Sequence, residues 1–399
     1  MSAPAAAFHL PGRTSQQAAT GSGRRQAAPD ASNSAIRVMI VDDSLTVRTI
    51  FKRMVESDGS MAIIGTASSA ERAIAQLAKT PADVVLLDLE MPGVGGLKAL
   101  PDILKAAQGG QVLVVSSLTQ DGAEHTVSAL SMGAADTMLK PRPGGFNEKY
   151  RAQLLGKIRA LGEALARKEV GAQQAKDTAA DAAPLASPPL WQQPAARTIS
   201  ARKPEVIAIG ASTGGIHALN ILMRGLPRDF DLPILVTQHL PASFIPVFAR
   251  QIEMACDRPA VIAEDGTLIR SGTVTIATGH GHMVVSRKGD NLVANTSSKP
   301  APSGCLPSVD PMFASLAKAC GDRVLGVVLS GMGRDGAQGA RELVAAGGRV
   351  IAQDSETSAV WGMPGAVAKA GLASLVASPE ILAREMLAAA RNHTSSSAA

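Results

Sequence analysis

Two groups of residues in this chain have the types and spacing to do chemistry. The first starts where the apolar run Val206-Ile-Ala-Ile ends in Gly210-Ala-Ser212-Thr-Gly214. This fits the G-x-S-x-G pattern of a serine on a sharp strand-to-helix turn. Small residues let the turn lift the Ser212 hydroxyl clear of the backbone, and the helix start beyond it offers N–H groups to an anion. His239 closes the next apolar run, Ile234–Gln238, and Asp335 follows Val324–Leu329 within Gly331-Met-Gly-Arg-Asp-Gly336. A hydroxyl, an imidazole and a carboxylate meeting at strand ends is the set that acyl transfer needs. His239 would take the Ser212 proton while Asp335 orients the ring and stabilises its cation. Each also has an ordinary use, as turn residue, strand-end imidazole and helix N-cap. His217, His280 and His282 are rival bases. His217 falls inside the helix after Ser212 and should point away, whereas His280 and His282 sit in a Gly-flanked loop suited to a substrate-facing edge. The order Ser…His…Asp differs from the Ser…Asp…His order of α/β-hydrolases.

The second group is acidic. Asp42 and Asp43 end the first strand, Asp88 the third, Ser116 the fourth and Lys140 the fifth. Three carboxylates in one crevice repel unless a cation is present, and Mg²⁺ is the hard ion suited to carboxylates and phosphate oxygens. A hydroxyl and an ammonium on neighbouring strands could then hold a phosphoryl group. Any one of these aspartates could be a turn former or N-cap; all five residues together are poorly explained that way.

The elements that must position these groups are legible as two α/β alternations. In the first, strands at Arg37–Asp43, Ala62–Thr66, Val84–Asp88, Val112–Ser116 and Thr137–Lys140 alternate with helices at Ser44–Ser57, Ser69–Ala78, Gly96–Ala107 and Gly122–Met132. The strands are continuously apolar, which predicts a five-stranded parallel sheet covered on both faces, with function at the carboxyl ends of the strands. A helix over Asn147–Arg167 follows, then an Ala-, Gln- and Pro-rich linker whose large anchor is Trp191. From Glu205 the second alternation gives a doubly wound, mainly parallel sheet, with a hairpin through Met283–Ala294 and helices over Pro307–Ala319, Asp335–Ala346, Gly362–Ala370 and Pro379–Ala389. The expected organisation is a disordered tail over 1–35, a first domain over 36–152, a helical extension and flexible linker over 153–204, a second domain over 205–391 and a disordered tail over 392–399.

Composition narrows the function class. The 399 residues are 46% hydrophobic and 18% charged, enough for two packed domains. Aromatic residues make up only 3%, which argues against a stacking platform for single-stranded nucleic acid. The net charge of +5 is scattered rather than gathered in a basic block, so no nucleic-acid partner is expected. Three cysteines without CxxC spacing suggest neither a disulfide framework nor a zinc motif, and a reducing compartment fits. With no apolar run of membrane length and no leader-like start, the expectation is a cytoplasmic protein without membrane insertion.

Residues 36–152 resemble a two-component receiver domain through Val41-Asp-Asp43, Leu87-Asp88, Met91-Pro92, Gly95-Gly96, Val115-Ser116 and Lys140-Pro141. The resemblance implies that Asp88 is phosphorylated by a chemotaxis histidine kinase, and that Asp42, Asp43 and Asp88 hold Mg²⁺. Ser116 would sense the phosphoryl group and Lys140 pair with it. Thr137 stands where single-domain receivers commonly carry a switch aromatic.

Residues 205–391 resemble the catalytic domain of the chemotaxis protein-glutamate methylesterases. The motifs are Ile207-Ala-Ile-Gly-Ala-Ser-Thr-Gly-Gly215, Gln238-His-Leu-Pro241, Ala263-Glu-Asp-Gly266, Pro307-Ser-Val-Asp310, Ser330-Gly-Met-Gly-Arg-Asp-Gly336 and Gly362-Met-Pro364. Receiver, linker and this domain make up that family's layout. The resemblance implies hydrolysis of glutamate 5-methyl esters on methyl-accepting chemoreceptors, with methanol released, and deamidation of receptor glutamines. Ser212 would be the nucleophile, His239 the base and then acid, and Asp335 the orienting carboxylate. The N–H of Met332, with the Thr213 region, would line the oxyanion hole, and no cofactor would serve the hydrolysis. The resemblance also implies that the unphosphorylated receiver covers the Ser212 crevice. One departure stands before Pro307: the family often carries Asn followed by basic or His residues, where this chain has Ser303-Gly-Cys-Leu306. Cys305 is read as a packing residue.

Overall fold

Val38-Met-Ile-Val41 buries every side chain without alternation, so it needs cover on both faces. That run is the heart of β1 (Ile36–Val41). In a computed structural model, the structure describes residues 35–391 except 118, 142–143 and 181–201, with only the backbone given at 120 and 171–180. The expectations for the two tails and for Trp191 lie outside the described residues.

In the first domain β1 joins β2 (Met61–Ala67), β3 (Val84–Asp88), β4 (Gln111–Ser116) and β5 (Asp136–Leu139) in a parallel sheet of order β2-β1-β3-β4-β5. Helices α1 (Leu45–Glu56), α2 (Ala70–Leu77), α3 (Gly96–Ala106) and α4 (Gln120–Met132) connect the strands. Hydroxyls start three of them. Ser44 accepts from the Val47 N–H, Ser69 from Arg72 and Thr119 from Gly122. The following helix, α5 (Glu148–Ala180), runs well past the expected Arg167. Its extension is rich in Ala, Gln and Lys, strong helix formers whose low complexity reads like a linker in sequence.

The second domain contains β6 (Val206–Ala211), α6 (Gly215–Arg224), β7 (Ile234–Gln238), α7 (Ile245–Cys256), β8 (Ala260–Ile262), β9 (Thr267–Leu268) and β10 (Val274–Ile276). The hairpin β11 (His282–Lys288) and β12 (Asn291–Ser297) follows, then α8 (Val309–Cys320), β13 (Val324–Val328) and α9 (Ala337–Ala345). The chain ends this domain with β14 (Arg349–Gln353), α10 (Met363–Lys369), β15 (Leu375–Ala377) and α11 (Pro379–Arg391). Seven strands form one sheet of order β15-β14-β13-β6-β7-β10-β8, parallel at every pairing. The antiparallel hairpin pairs with β9 in a separate sheet. Strands β8, β9 and β15 escaped the sequence reading because two or three residues carry no usable periodicity.

Topology places the site. β6 leads to β7 on one side and pairs with β13 on the other, so the direction of strand progression reverses at β6. Such a reversal opens a crevice at the carboxyl ends, and Ser212, His239 and Asp335 follow β6, β7 and β13 there. Apolar side chains of the two domains merge in one buried cluster, with Leu130 and Ala134 of the first joining Ile216 and Leu240 of the second.

Candidate active site

The structure brings Ser212, His239 and Asp335 together. His239 Nδ1 lies 3.1 Å from Ser212 Oγ, and its Nε2 lies 2.8 Å from Asp335 Oδ2. The ring is therefore used in the opposite sense to the chymotrypsin template, where Nε2 faces the serine. With Nε2–H donated to the carboxylate, the lone pair sits on Nδ1 and faces the hydroxyl. Either sense allows the same proton transfer.

Asp335 is 2% exposed and accepts from five donors. Oδ2 takes the His239 ring N–H and the Val309 N–H (2.7 Å); Oδ1 takes the Ser308 hydroxyl (2.7 Å) and the N–H groups of Gly336 (3.0 Å) and Asp310 (3.3 Å). Burial alone would raise its pKa, but the His239 ring, the Val309 N–H and the Ser308 hydroxyl outweigh it and hold the carboxyl well below the usual range. Burial likewise opposes a charge on His239, yet the hydrogen bond and charge of Asp335, with a contribution from Cys305, raise the imidazole to about 9. Asp310, beside Asp335, is pushed up by burial and by the neighbouring charge.

The rival histidines have other partners. His282 is buried at the start of β11 and its Nδ1 accepts the Ser308 N–H at 2.9 Å, so it supports Asp335 through Ser308 rather than facing substrate. His217 Nδ1 meets the Ser131 carbonyl of the first domain at 2.9 Å. His280 lines an open cleft with Ala242, Ile245 and Thr278. Cys305 is half-buried, and its sulfur stands within 4.8 Å of ligand atoms of both His239 and Asp335. The thiol thus has a chemical neighbour that its sequence context does not reveal.

A second layer fixes the serine turn. Gln238, buried at the end of β7, donates from Nε2 to the Ser212 carbonyl at 3.0 Å. The Ser330 hydroxyl donates to the Thr213 carbonyl at 2.7 Å, and the Ser330 N–H donates to Gln353 Oε1 at 2.7 Å. Ser308, Gln238, Ser330 and Gln353 have no role assigned from sequence, although Gln238 and Gln353 close apolar strands, Ser330 follows one and Ser308 opens α8. Gly214 needs to be glycine: its φ is +75°, and a Cβ would stand 2.5 Å from that of Ala359. Gly331 presses against Ser212, with a Cβ there only 2.9 Å from the serine Cβ, so the segment that leads into Met332 packs on the serine turn. Among the described residues, the N–H groups of Thr213 and Met332 donate to no carbonyl.

The first domain sits directly on this turn. The Gly214 N–H donates to the Ala135 carbonyl at 2.6 Å, and Thr213 Oγ1 donates to Asp136 Oδ2 at 2.6 Å. The helix-start donor that sequence left open to an anion is thus occupied at Gly214. Asp136 also pairs with Lys157 of α5 at 2.5 Å. Ser131, at the end of α4, accepts from Asn220 at 2.7 Å and from Gln251, and Glu124 pairs with Arg250 at 2.9 Å.

The acidic group also gathers as expected. Ligand oxygens of Asp42, Asp43 and Asp88 lie within 4.8 Å of one another. Lys140 Nζ stands 2.7 Å from Asp88 Oδ2 and 2.9 Å from Asp42 Oδ2. Lys140 is the partner of that buried Asp42 oxygen, and the buried Ser116 hydroxyl has no hydrogen-bond partner among the described residues. Burial raises Asp88, with Asp42 adding to it, beyond what Lys140 offsets. An all-oxygen set of three gathered carboxylates fits a hard divalent cation.

Comparison with known proteins agrees with this division. Residues 38–146 match the response regulator receiver domain, and residues 207–386 match the CheB methylesterase family. A protein-glutamate methylesterase/protein-glutamine glutaminase of Paramagnetospirillum magneticum is 40% identical across 91% of this chain and 99% of its own. One of Rhodospirillum rubrum is 41% identical across 86% of this chain and 92% of its own. Among solved structures, the Thermotoga maritima CheB methylesterase catalytic domain is 31% identical, covering 46% of this chain and 98% of its own at a TM-score of 0.45. With its receiver domain, its methylesterase domain and this identity over nearly the full length of both chains, the protein belongs to the protein-glutamate methylesterase/protein-glutamine glutaminase family.

Proposed function

We propose that this chain is a phosphorylation-controlled serine hydrolase of chemotaxis. It would cleave glutamate 5-methyl esters on the cytoplasmic helices of methyl-accepting chemoreceptors, releasing methanol, and deamidate particular receptor glutamines. The observation that carries the reading is the hydrogen-bonded series Ser212–His239–Asp335 at the strand ends. His239 Nδ1 takes the Ser212 proton as Oγ attacks the acyl carbon, while Asp335 stabilises the imidazolium. The N–H groups of Met332 and Thr213 receive the oxyanion. His239 returns its proton to the leaving methanol or ammonia and then activates water to release the glutamate. Ester and primary amide share the acyl carbon and the tetrahedral intermediate, so one site serves both.

In the receiver, Asp88 is the phosphoryl acceptor and a chemotaxis histidine kinase the donor. Mg²⁺, when bound, would be held by Asp42, Asp43 and Asp88 and would neutralise charge on the phosphoryl oxygens. Lys140 pairs with the phosphoryl group, and the unpartnered Ser116 hydroxyl is free to turn toward it. Lys140 follows β5, whose first residue, Asp136, holds Thr213, so a shift at the acidic site has a short path to the serine turn. Among the described residues, no helix is long and apolar enough to cross a membrane, and we place the enzyme in the cytoplasm. The test is methanol release from methylated receptor membranes, with and without a small phosphodonor, by the wild type and Ser212→Ala. No release by the wild type would refute the activity, release by both would refute the nucleophile, and a rate indifferent to the phosphodonor would refute the control.

A pH profile follows from the raised imidazole. The base must be neutral to accept a proton, so kcat/KM should climb with pH, about tenfold per unit on the acid limb, and level off near the value of about 9 given by the Asp335 and Cys305 contacts. A profile already flat above pH 6.5 would contradict it.

A further inference from the structure

Cys305 puts a sulfur where the acyl-transfer chemistry needs none. Its Sγ, a ring nitrogen of His239 and a carboxylate oxygen of Asp335 all lie within 4.8 Å of one another. The three come from separate segments, the loop before α8 and the ends of β7 and β13, so sequence spacing does not advertise them. Asp335 is rigid in its five hydrogen bonds, whereas Cys305 is half-buried and reachable by a small ion. Ligand lengths of about 2.3 Å for thiolate, and about 2.0–2.2 Å for imidazole and carboxylate, put three donors around one zinc roughly 3–4 Å apart. Closing from within 4.8 Å to that spacing would fall to Cys305, whose sulfur has one long contact, to the Ser303 carbonyl at 3.9 Å. Mixed N, S and O donors suit a borderline-soft divalent cation and give no advantage to Mg²⁺.

We propose that His239, Cys305 and Asp335 form an inhibitory site for a thiophilic divalent cation, Zn²⁺ above all, that disables the catalytic base. The proposal rests on the reading of Ser212 and His239 as nucleophile and base. In the metal-free arrangement Nε2 carries the hydrogen given to Asp335, and the Nδ1 lone pair faces Ser212. A cation on Nε2 displaces that hydrogen. A neutral imidazole has a single N–H, so the proton moves to Nδ1, which then faces Ser212 as a donor and can accept nothing. Cys305 gives up its S–H proton to become a thiolate ligand, so one proton leaves to solvent for each cation bound to the neutral ring, and a second leaves where the imidazole starts out protonated. Metal–nitrogen, metal–sulfur and metal–oxygen bonds form, and no oxidation state changes.

The test uses the full-length chain with Co²⁺ as a spectroscopic probe and excess Mg²⁺ to occupy the receiver. The expected result is a thiolate-to-cobalt charge-transfer absorption that saturates at one equivalent and is bleached by Zn²⁺. Cys305→Ser, shown to be folded by circular dichroism, should lack that absorption. In the methanol assay, Zn²⁺ should inhibit the wild type reversibly with a chelator, and Cys305→Ser should be at least tenfold less sensitive relative to its own metal-free rate. Absence of the absorption, its persistence in Cys305→Ser, or equal zinc sensitivity of the two proteins would overturn the site. A cobalt spectrum as expected, with no methanol release by the wild type, would instead refute the esterase reading and leave the metal site standing.

Discussion

Asp335→Asn is expected to lower kcat by roughly four orders of magnitude, the size of effect known for a triad carboxylate replaced by its amide. The reason lies in the donor count. Every group around Asp335 is a donor: the His239 ring, the Ser308 hydroxyl and the N–H groups of Val309, Asp310 and Gly336. An asparagine must turn its NH₂ toward one of them. If it faces His239, the ring is driven to the tautomer with hydrogen on Nδ1, and the base toward Ser212 is lost. Buried N–H groups go unpaired either way, at about 1–3 kcal/mol each: Val309 if the NH₂ faces His239, and Asp310 and Gly336 if it faces the other side. The variant should therefore combine the loss of kcat with a lower denaturation midpoint, read by methanol release and by denaturant titration. Full stability together with near wild-type kcat would refute the role given to Asp335.

Ser131→Arg is expected to raise the basal rate about 10–100-fold and to leave little further stimulation by a phosphodonor. Ser131 has no part in acyl transfer, but its hydroxyl accepts from Asn220 and Gln251, and its carbonyl meets His217. Losing two hydrogen bonds of about 1 kcal/mol each, with a long side chain forced between the domains, shifts a closed-to-open equilibrium by that order. Methanol release without phosphodonor measures the rate, and small-angle scattering should show a larger radius of gyration. A basal rate and radius equal to those of the wild type would mean that the contact over Ser212 does not limit activity.

Much of the fold was legible because continuous apolar runs ending in Asp, Ser or His mark parallel strands by themselves. The β6, β7 and β13 ends carrying Ser212, His239 and Asp335 could be placed this way, as could the acidic crevice of Asp42, Asp43 and Asp88. Features that depend on distant segments could not. His282 looked loop-like in its Gly-rich surroundings, yet it is buried beneath Ser308. Which ring nitrogen of His239 faces the serine depends on the approach of β13, and no spacing encodes it. Cys305 reads as packing because its partners are far away in sequence. The contact of Ala135 with Gly214 is equally silent, since a carbonyl from one domain and an N–H from another carry no side-chain signature.

The Val309 and Asp310 N–H groups that Asp335 accepts belong to the first turn of α8, and the Gly336 N–H stands just before α9. The carboxylate that orients His239 is therefore also the anchor at the start of two helices. Over evolutionary time these duties would be pruned separately. A descendant that lost the need for hydrolysis could let Ser212 and His239 drift, but folding would go on selecting for an aspartate at position 335. Retention of that aspartate in a diverged copy is thus weak evidence for catalysis, and the serine and histidine are the residues by which living and relic enzymes of this type should be told apart.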